Sequence, residues 1–212
     1  MTVHVISTGW QSPSRERCLM SVRMQSAAHE HHYIEASVQS PPRTKLENLH
    51  DAITTLHPEA IVALVDGDDH LCRADALTLV QRAHDEGAWV TWGSFEYGDG
   101  RPGFAADLDW SKPVRAQHWV TTHLKTFRAG LFHRIALADL MFDGKWIHRA
   151  DDVAYMLPIV EMAGRERCKF IPQVVYAYNF AGSFEREHGP AEERAADRMI
   201  RSRAQYERIA AL

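Results

Sequence analysis

Three carboxylates stand within four residues in VALVDGDDHL, residues 62–71, where an apolar run passes into Asp66, Asp68 and Asp69, with Gly67 between the first two. Carboxylates this close repel one another when ionised, and a divalent cation relieves the repulsion. Mg2+ or Mn2+ takes one or two carboxylates and completes its shell with waters and phosphate oxygens. The plainer reading is a turn in which Asp and Gly satisfy backbone groups and cap the helix that follows. A cap needs one carboxylate and here there are three, which favours the cation. A second acidic pair, Asp151 and Asp152, opens the apolar stretch DDVAYMLPIVEMA. Acids at a helix start stabilise it by about 1 kcal/mol through the free amides and the dipole. The chemical alternative is a general base that takes a proton from a hydroxyl.

The elements that must position these groups are readable from periodicity. Residues 3–8 (VHVIST) predict a strand ending at Gly9, and Ser12-Pro13 opens a helix over 15–28. Residues 33–38 predict a second strand. Leu46, Leu49, Ile53 and Leu56 recur at helical spacing over 45–56. The run 60–65 is continuously apolar, as in a strand buried on both faces of a parallel sheet. A helix over 73–86 and a strand over 88–92 complete the first half. The order predicts an α/β chain with a layered α/β/α arrangement and a mostly parallel central sheet. In such open sheets ligands gather at the carboxyl ends of the strands, where Asp66, Asp68 and Asp69 fall.

The second half is less regular. Residues 93–119 carry Gly98, Gly100, Pro102, Gly103 and Pro113 and predict a long binding loop. Residues 122–137 read as mixed helix, 152–162 as a helix closed by Gly164, and 170–180 as strand. In the tail, 190–212, Ala195, Met199, Ser202, Tyr206 and Ile209 share one helical face.

Composition narrows the classes. At 212 residues, 45% hydrophobic and 25% charged, the chain predicts a single globular domain. The net charge of −4, with no basic block, argues against a nucleic-acid partner. Cys18, Cys72 and Cys168 are an odd, widely spaced set that suits a reducing, cytoplasmic setting. No apolar run reaches the roughly 20 residues of a transmembrane span.

VALVDGDDHL, preceded by KLENLHDAI and followed by a helix and AWVTWGSFEYGDG, resembles the nucleotide-sugar half of GT-A fold glycosyltransferases, especially the family 2 type with its Asp-x-Asp turn. THLKTFRAGLF and RADDVAYMLPIVEMAG, residues 122–132 and 149–164, resemble that family's acceptor-side segment and acidic motif. The resemblance implies a single Rossmann-like GT-A domain, with residues 1–95 as the nucleotide-sugar half, 96–189 as the acceptor half and 190–212 as a C-terminal helix. It implies a metal-dependent, inverting transferase that moves a sugar from a nucleotide sugar, a UDP-sugar being favoured, to a glycan, lipid-linked or protein acceptor. Mn2+ or Mg2+ would be held by Asp66 and Asp68, with His188 as a third ligand. Asp152 would be the base and Asp151 its neighbour. Thr8, Gly9, Trp10, Lys45, Asn48 and Asp69 would lie against the donor, and Lys125 and Arg128 would face its diphosphate.

Two other readings stand beside this one: an inactive GT-A module that binds carbohydrate or nucleotide sugar, and a phosphatase of the haloacid dehalogenase kind. The latter needs D-x-D-x-T/V after the first strand, whereas DGDDHL follows the third. GDGRPG at 98–103 fits G-x-G-x-x-G, but Pro102 and the lack of a following helix remove the dinucleotide reading. The histidines of HEHHY, 29–33, lack a fourth metal ligand and read as a polar turn before a strand.

Overall fold

A computed structural model of the chain describes residues 2–9, 13–35, 43–179 and 190–212. The first half runs β1 (Val3–Gly9), α1 (Arg15–Arg23), β2 (His29–Glu35), α2 (Lys45–Thr54), β3 (Ile61–Leu64), β4 (His70–Leu71), α3 (Ala76–Asp85) and β5 (Val90–Tyr97). The second half runs β6 (Lys125–Arg128), α4 (Ala129–His133), β7 (Met141–Phe142), β8 (Lys145–Trp146), α5 (Asp151–Ala163), β9 (Cys168–Tyr178) and α6 (Pro190–Arg201).

Among the described residues, seven strands form one sheet in the order β2-β1-β3-β6-β5-β9-β4, and β7 pairs with β8 apart from it. β1, β2, β3, β5 and β9 run one way, whereas β6 and β4 run against their neighbours. The sheet is therefore mostly parallel and Rossmann-like. The unbroken apolar run of β3 is explained by its two faces. Val62 and Leu64 join a core with Leu46, Leu49 and Ile53 of α2 and the apolar side chains of α5. Ile61, Ala63 and Val65 join a second core with Val22 of α1 and Leu77 and Val80 of α3. Helices cover both faces of the sheet, the layered α/β/α architecture that the element order predicts.

Several boundaries differ from the sequence reading. α1 stops at Arg23 instead of running to 28, because Gln25 is taken up by other partners. Its side chain donates to Arg73 O at 2.7 Å and accepts from Leu77 N at 3.0 Å. HEHHY is strand, not turn: β2 pairs in parallel with β1 from Val3↔His29 to Gly9↔Glu35, and its polar character suits its place at the sheet edge. Residues 36–38, predicted to continue it, lie outside the described residues. β5 extends to Tyr97, which takes 93–97 out of the predicted loop; β9 pairs alongside it to Tyr178. Residues 122–137, predicted as mixed helix, hold β6 and only the short α4. Between β3 and β5 the backbone groups of KTFR find partners on both sides, and pairing overrides local preference. The tail helix ends at Arg201; Tyr206 and Ile209 instead dock their backbone amides on Glu161 and Met162 of α5.

Candidate active site

β3 delivers Asp66 to the carboxyl edge of the sheet, beside the end of β1. Gly67 N–H donates to Thr8 O at 2.9 Å and Val65 N–H to Ile6 O at 3.1 Å, so the acidic turn is laced to β1. Gly9 and Gly67 meet backbone to backbone: a Cβ on Gly67 would lie 2.7 Å from Gly9 Cα and 2.9 Å from Tyr33 Oη. Glycine is required here for close approach and not only for a turn.

Lys45 is the first residue of α2, fixed there because Thr44 Oγ1 accepts Glu47 N–H at 3.1 Å and caps the helix. Its Nζ lies 2.7 Å from Asp66 Oδ1 and 3.8 Å from Asp151 Oδ2, bridging two acidic motifs 85 residues apart in sequence. Asp151 and Asp152 occupy the first turn of α5, which Ala150 enters with a left-handed φ of 51°. Neither acts as the N-cap; both project from the positive end of the helix. Lys125, only 2% exposed on β6, places Nζ 3.5 Å from Asp152 Oδ2.

Asp69 is buried. It accepts Tyr176 Oη–H at 2.7 Å and Asn179 N–H at 2.7 Å, and Tyr176 Oη in turn accepts Asp66 N–H at 3.0 Å. Asp69 is thereby the tie between the acidic turn and β9, not a helix cap. The ring of His123 stacks on Tyr176 with centroids 4.5 Å apart, and ligand atoms of Asp66, Asp69 and His123 lie within 4.8 Å of one another. His123 Nδ1 and Tyr155 Oη are buried without a hydrogen-bond partner among the described residues.

These charges act on one another. Burial opposes ionisation of Asp66, but the ammonium groups of Lys45 and Lys125 outweigh it and hold that carboxyl well below the usual carboxylate range. Burial, reinforced by the charge of Asp66, lifts Asp68 to about 6, and burial with both neighbours lifts Asp69 further. Burial also raises Asp151, against the pull of Lys45. His123 is pushed well below its ordinary value by burial and then by Lys125, so its ring is neutral and a competent ligand.

Beside this cluster opens a cleft of about 420 Å³, lined by Phe95, Phe104, Trp119, Tyr178, His123 and Asp152 among others. Only Asp152 and His123 carry the acidic and imidazole chemistry of the cluster into it.

The structure gathers most of the sequence-predicted residues: Asp66, Asp68, Asp69, Asp151, Asp152, Lys45, Lys125, Thr8 and Gly9 share one edge of the sheet. Asn48 is buried one turn beyond Lys45 on α2. Arg128 is the exception. β6 pairs Lys125 with Leu64 but Arg128 with Ile61, at the far end of β3, about 10 Å away. There Arg128 is 4% exposed and donates to Glu59 O at 2.7 Å and His84 O at 3.4 Å. It fastens the base of the sheet and does not face a diphosphate. Trp10 and His188 lie outside the described residues. His123 was missed because residues 122–137 read as mixed helix; it stands just before β6, with its ring against Phe95 and Tyr176. Tyr176 and Asn179 carried no local signal, since only the sheet order brings β9 near the acidic turn.

Fold and site together define a single-domain α/β protein of the Rossmann-like GT-A class with an acidic centre at the carboxyl edge of its sheet. Solved structures of S. aureus TarS, a glycosyltransferase, share this fold. The complex of its residues 1–349 with UDP-GlcNAc aligns with a TM-score of 0.62 at 14% identity, over 94% of this chain and 65% of that one. The UDP complex gives 0.59 at 16% identity over 94% and 70%. TarS itself gives 0.57 at 14%, and this chain spans 42% of it. Comparison with protein-family models and with curated protein sequences gives no match.

Proposed function

We propose that the protein is a metal-dependent, inverting glycosyltransferase that uses a nucleotide sugar, a UDP-sugar in first place, and transfers the sugar to an acceptor hydroxyl. The observation that carries this reading is the convergence of Asp66 and Asp151 on Lys45 at 2.7 and 3.8 Å. Two acidic motifs far apart in sequence are held at one sheet edge, one suited to a cation and one to a base. The TarS complexes with UDP and UDP-GlcNAc support the choice of donor.

Asp66 and Asp69, with His123 in the role expected of His188, fit a divalent cation: their donor atoms lie within 4.8 Å of one another and His123 Nδ1 has no hydrogen-bond partner among the described residues, whereas Asp68, the second ligand expected from the sequence, is not part of this cluster. The mixed oxygen and nitrogen donor set suits Mn2+ better than Mg2+. When bound, the cation would neutralise charge that builds on the leaving diphosphate. Asp152, on the cleft wall, takes the proton of the acceptor hydroxyl. The freed oxygen pair bonds to the anomeric carbon from the face opposite the diphosphate, and the old carbon–oxygen pair leaves with the diphosphate. Lys125 Nζ, 3.5 Å from Asp152 Oδ2, holds that carboxylate in position on the cleft wall. The aromatic cleft wall of Phe95, Phe104, Trp119 and Tyr178 suits the apolar face of an acceptor sugar or polyol.

The test is turnover of UDP-GlcNAc, with water standing in for the acceptor. Asp152→Asn should lower the rate by about 10²- to 10⁴-fold, the usual contribution of a general base, while Mn2+-dependent UDP binding stays intact. An unchanged rate would overturn the assignment of the base. Intact UDP binding without wild-type turnover on any sugar or polyol acceptor would point instead to a binding module.

A further inference from the structure

The second feature lies at the opposite end of β1, four residues and about 13 Å along the strand from Thr8. β2 runs parallel to β1 with His4 opposite Glu30 and Ile6 opposite His32, so His4, Glu30 and His32 project from one face of the sheet edge. His4 Nδ1 lies 3.3 Å from His32 Nε2 and 3.5 Å from Glu30 Oε2, and His32 Nε2 lies 3.8 Å from Glu30 Oε2. Three donor atoms thus form a near-equilateral triangle. Ligands of tetrahedral zinc, with bonds of about 2.0–2.1 Å, stand about 3.3–3.5 Å apart. The triangle matches three corners of that tetrahedron.

We propose that His4, Glu30 and His32 form a binding site for a borderline transition-metal ion, Zn2+ above all, that clips edge strand β2 to β1. Two imidazoles and one carboxylate are a donor set for Zn2+, Ni2+ or Cu2+ and a poor one for Mg2+ or Ca2+, which distinguishes it from the acidic centre. His4 sits at the inner corner with its side chain 16% exposed, whereas His32 and Glu30 are 42% and 60% exposed, leaving the fourth corner open to water. The groups whose charge bears on His4 are Glu30 and His32 themselves. His29 and His31, at alternate positions, face the other side; His31 Nε2 is 3.0 Å from Ser7 Oγ there. The site rests on strand register and is independent of the transferase reading.

The experiment is calorimetric titration of metal-stripped, tag-free protein with Zn2+ in excess Mn2+, which occupies the acidic centre. One Zn2+ per chain is expected. His32→Ala and Glu30→Gln should each weaken it by at least about tenfold, the least that losing even an outer-shell partner costs. Co2+ in the same site should give tetrahedral absorption bands in wild type and not in His32→Ala. Turnover of UDP-GlcNAc with Mn2+ should be equal in wild type and Glu30→Gln. Failure of wild type to bind Zn2+ stoichiometrically, or binding undiminished in both variants, overturns the site. Glu30 is exposed enough for its substitution to leave the fold intact, so the Glu30→Gln arm decides even if His32→Ala is unstable.

Discussion

Gly9 and Gly67 close the floor of the acidic centre by touching, and no side chain fits between them. Gly67→Ala would set its methyl 2.7 Å from Gly9 Cα and 3.0 Å from Thr8 O, both backbone atoms that cannot swing aside. The expected cost is about 1–3 kcal/mol in urea unfolding, as for other overpacked sites; a change below about 0.5 kcal/mol would show that β1 and the turn are free to part. At the same scale, two lysines explain why three half-buried carboxylates coexist: the ammonium group of Lys45 serves Asp66 and Asp151, and that of Lys125 serves Asp152. Arg128, two residues past Thr126, points to the other face of β6 and serves His84 and Glu59 instead. Residue type alone marked Lys125 and Arg128 as equals; strand alternation separates them.

At the scale of elements, the cleft wall depends on one buried ion pair. Arg115, in a short 3-10 turn of the 98–124 segment, donates from Nε and Nη2 to both oxygens of Glu161 on α5, at 2.6 and 2.9 Å. Its Nη1 reaches Ile200 O on α6 at 2.9 Å and Arg203 O at 3.1 Å, and Arg201 Nη1 returns to the carbonyls of Arg115 and Gln117. Three segments are joined at one guanidinium. Removing one partner strands a desolvated charge, so Arg115→Met is expected to cost about 3–5 kcal/mol in chemical denaturation. A loss under 1 kcal/mol would mean that the loop and α6 are held by packing alone. The segment predicted as a binding loop lines the cleft with Phe104 and Trp119 and is far better anchored than its glycines and prolines suggested. Its anchors are long-range and leave no local trace.

For the whole molecule, acid stability follows from a histidine sealed between α3 and the sheet. Burial, with the charge of Arg128, pushes His84 down to about 3, and its Nε2 lies 2.9 Å from Thr126 Oγ1. The folded state therefore favours the neutral ring, whereas the unfolded chain takes up a proton near 6.5. This contribution to stability is fully present above about 6.5 and is lost as the pH falls towards 3. Relative to His84→Gln, the wild type should lose stability with a slope approaching about 1.4 kcal/mol per pH unit in that window. Urea unfolding at a series of pH values reads it, and parallel pH profiles of the two proteins would contradict it.

What the sequence determined by itself was the set of local signals that share a cause with the fold. Apolar periodicity gave the β1-α1-β2-α2-β3 order and the layered class. The run ending in DGDDHL gave the acidic turn, and DDVAYMLPIVEMA gave a helix led by two acids. Each is a short-range pattern, fixed by burial of one face or two. The tertiary structure alone decided which of these patterns meet. It brought Asp66 to Asp151 through Lys45, set His123 and Tyr176 beside the turn, sent Arg128 to the far end of β6, and made HEHHY an edge strand whose His32 faces His4. These facts depend on sheet order and strand register, which arise from pairing between residues far apart in the chain and leave no periodicity within any one segment.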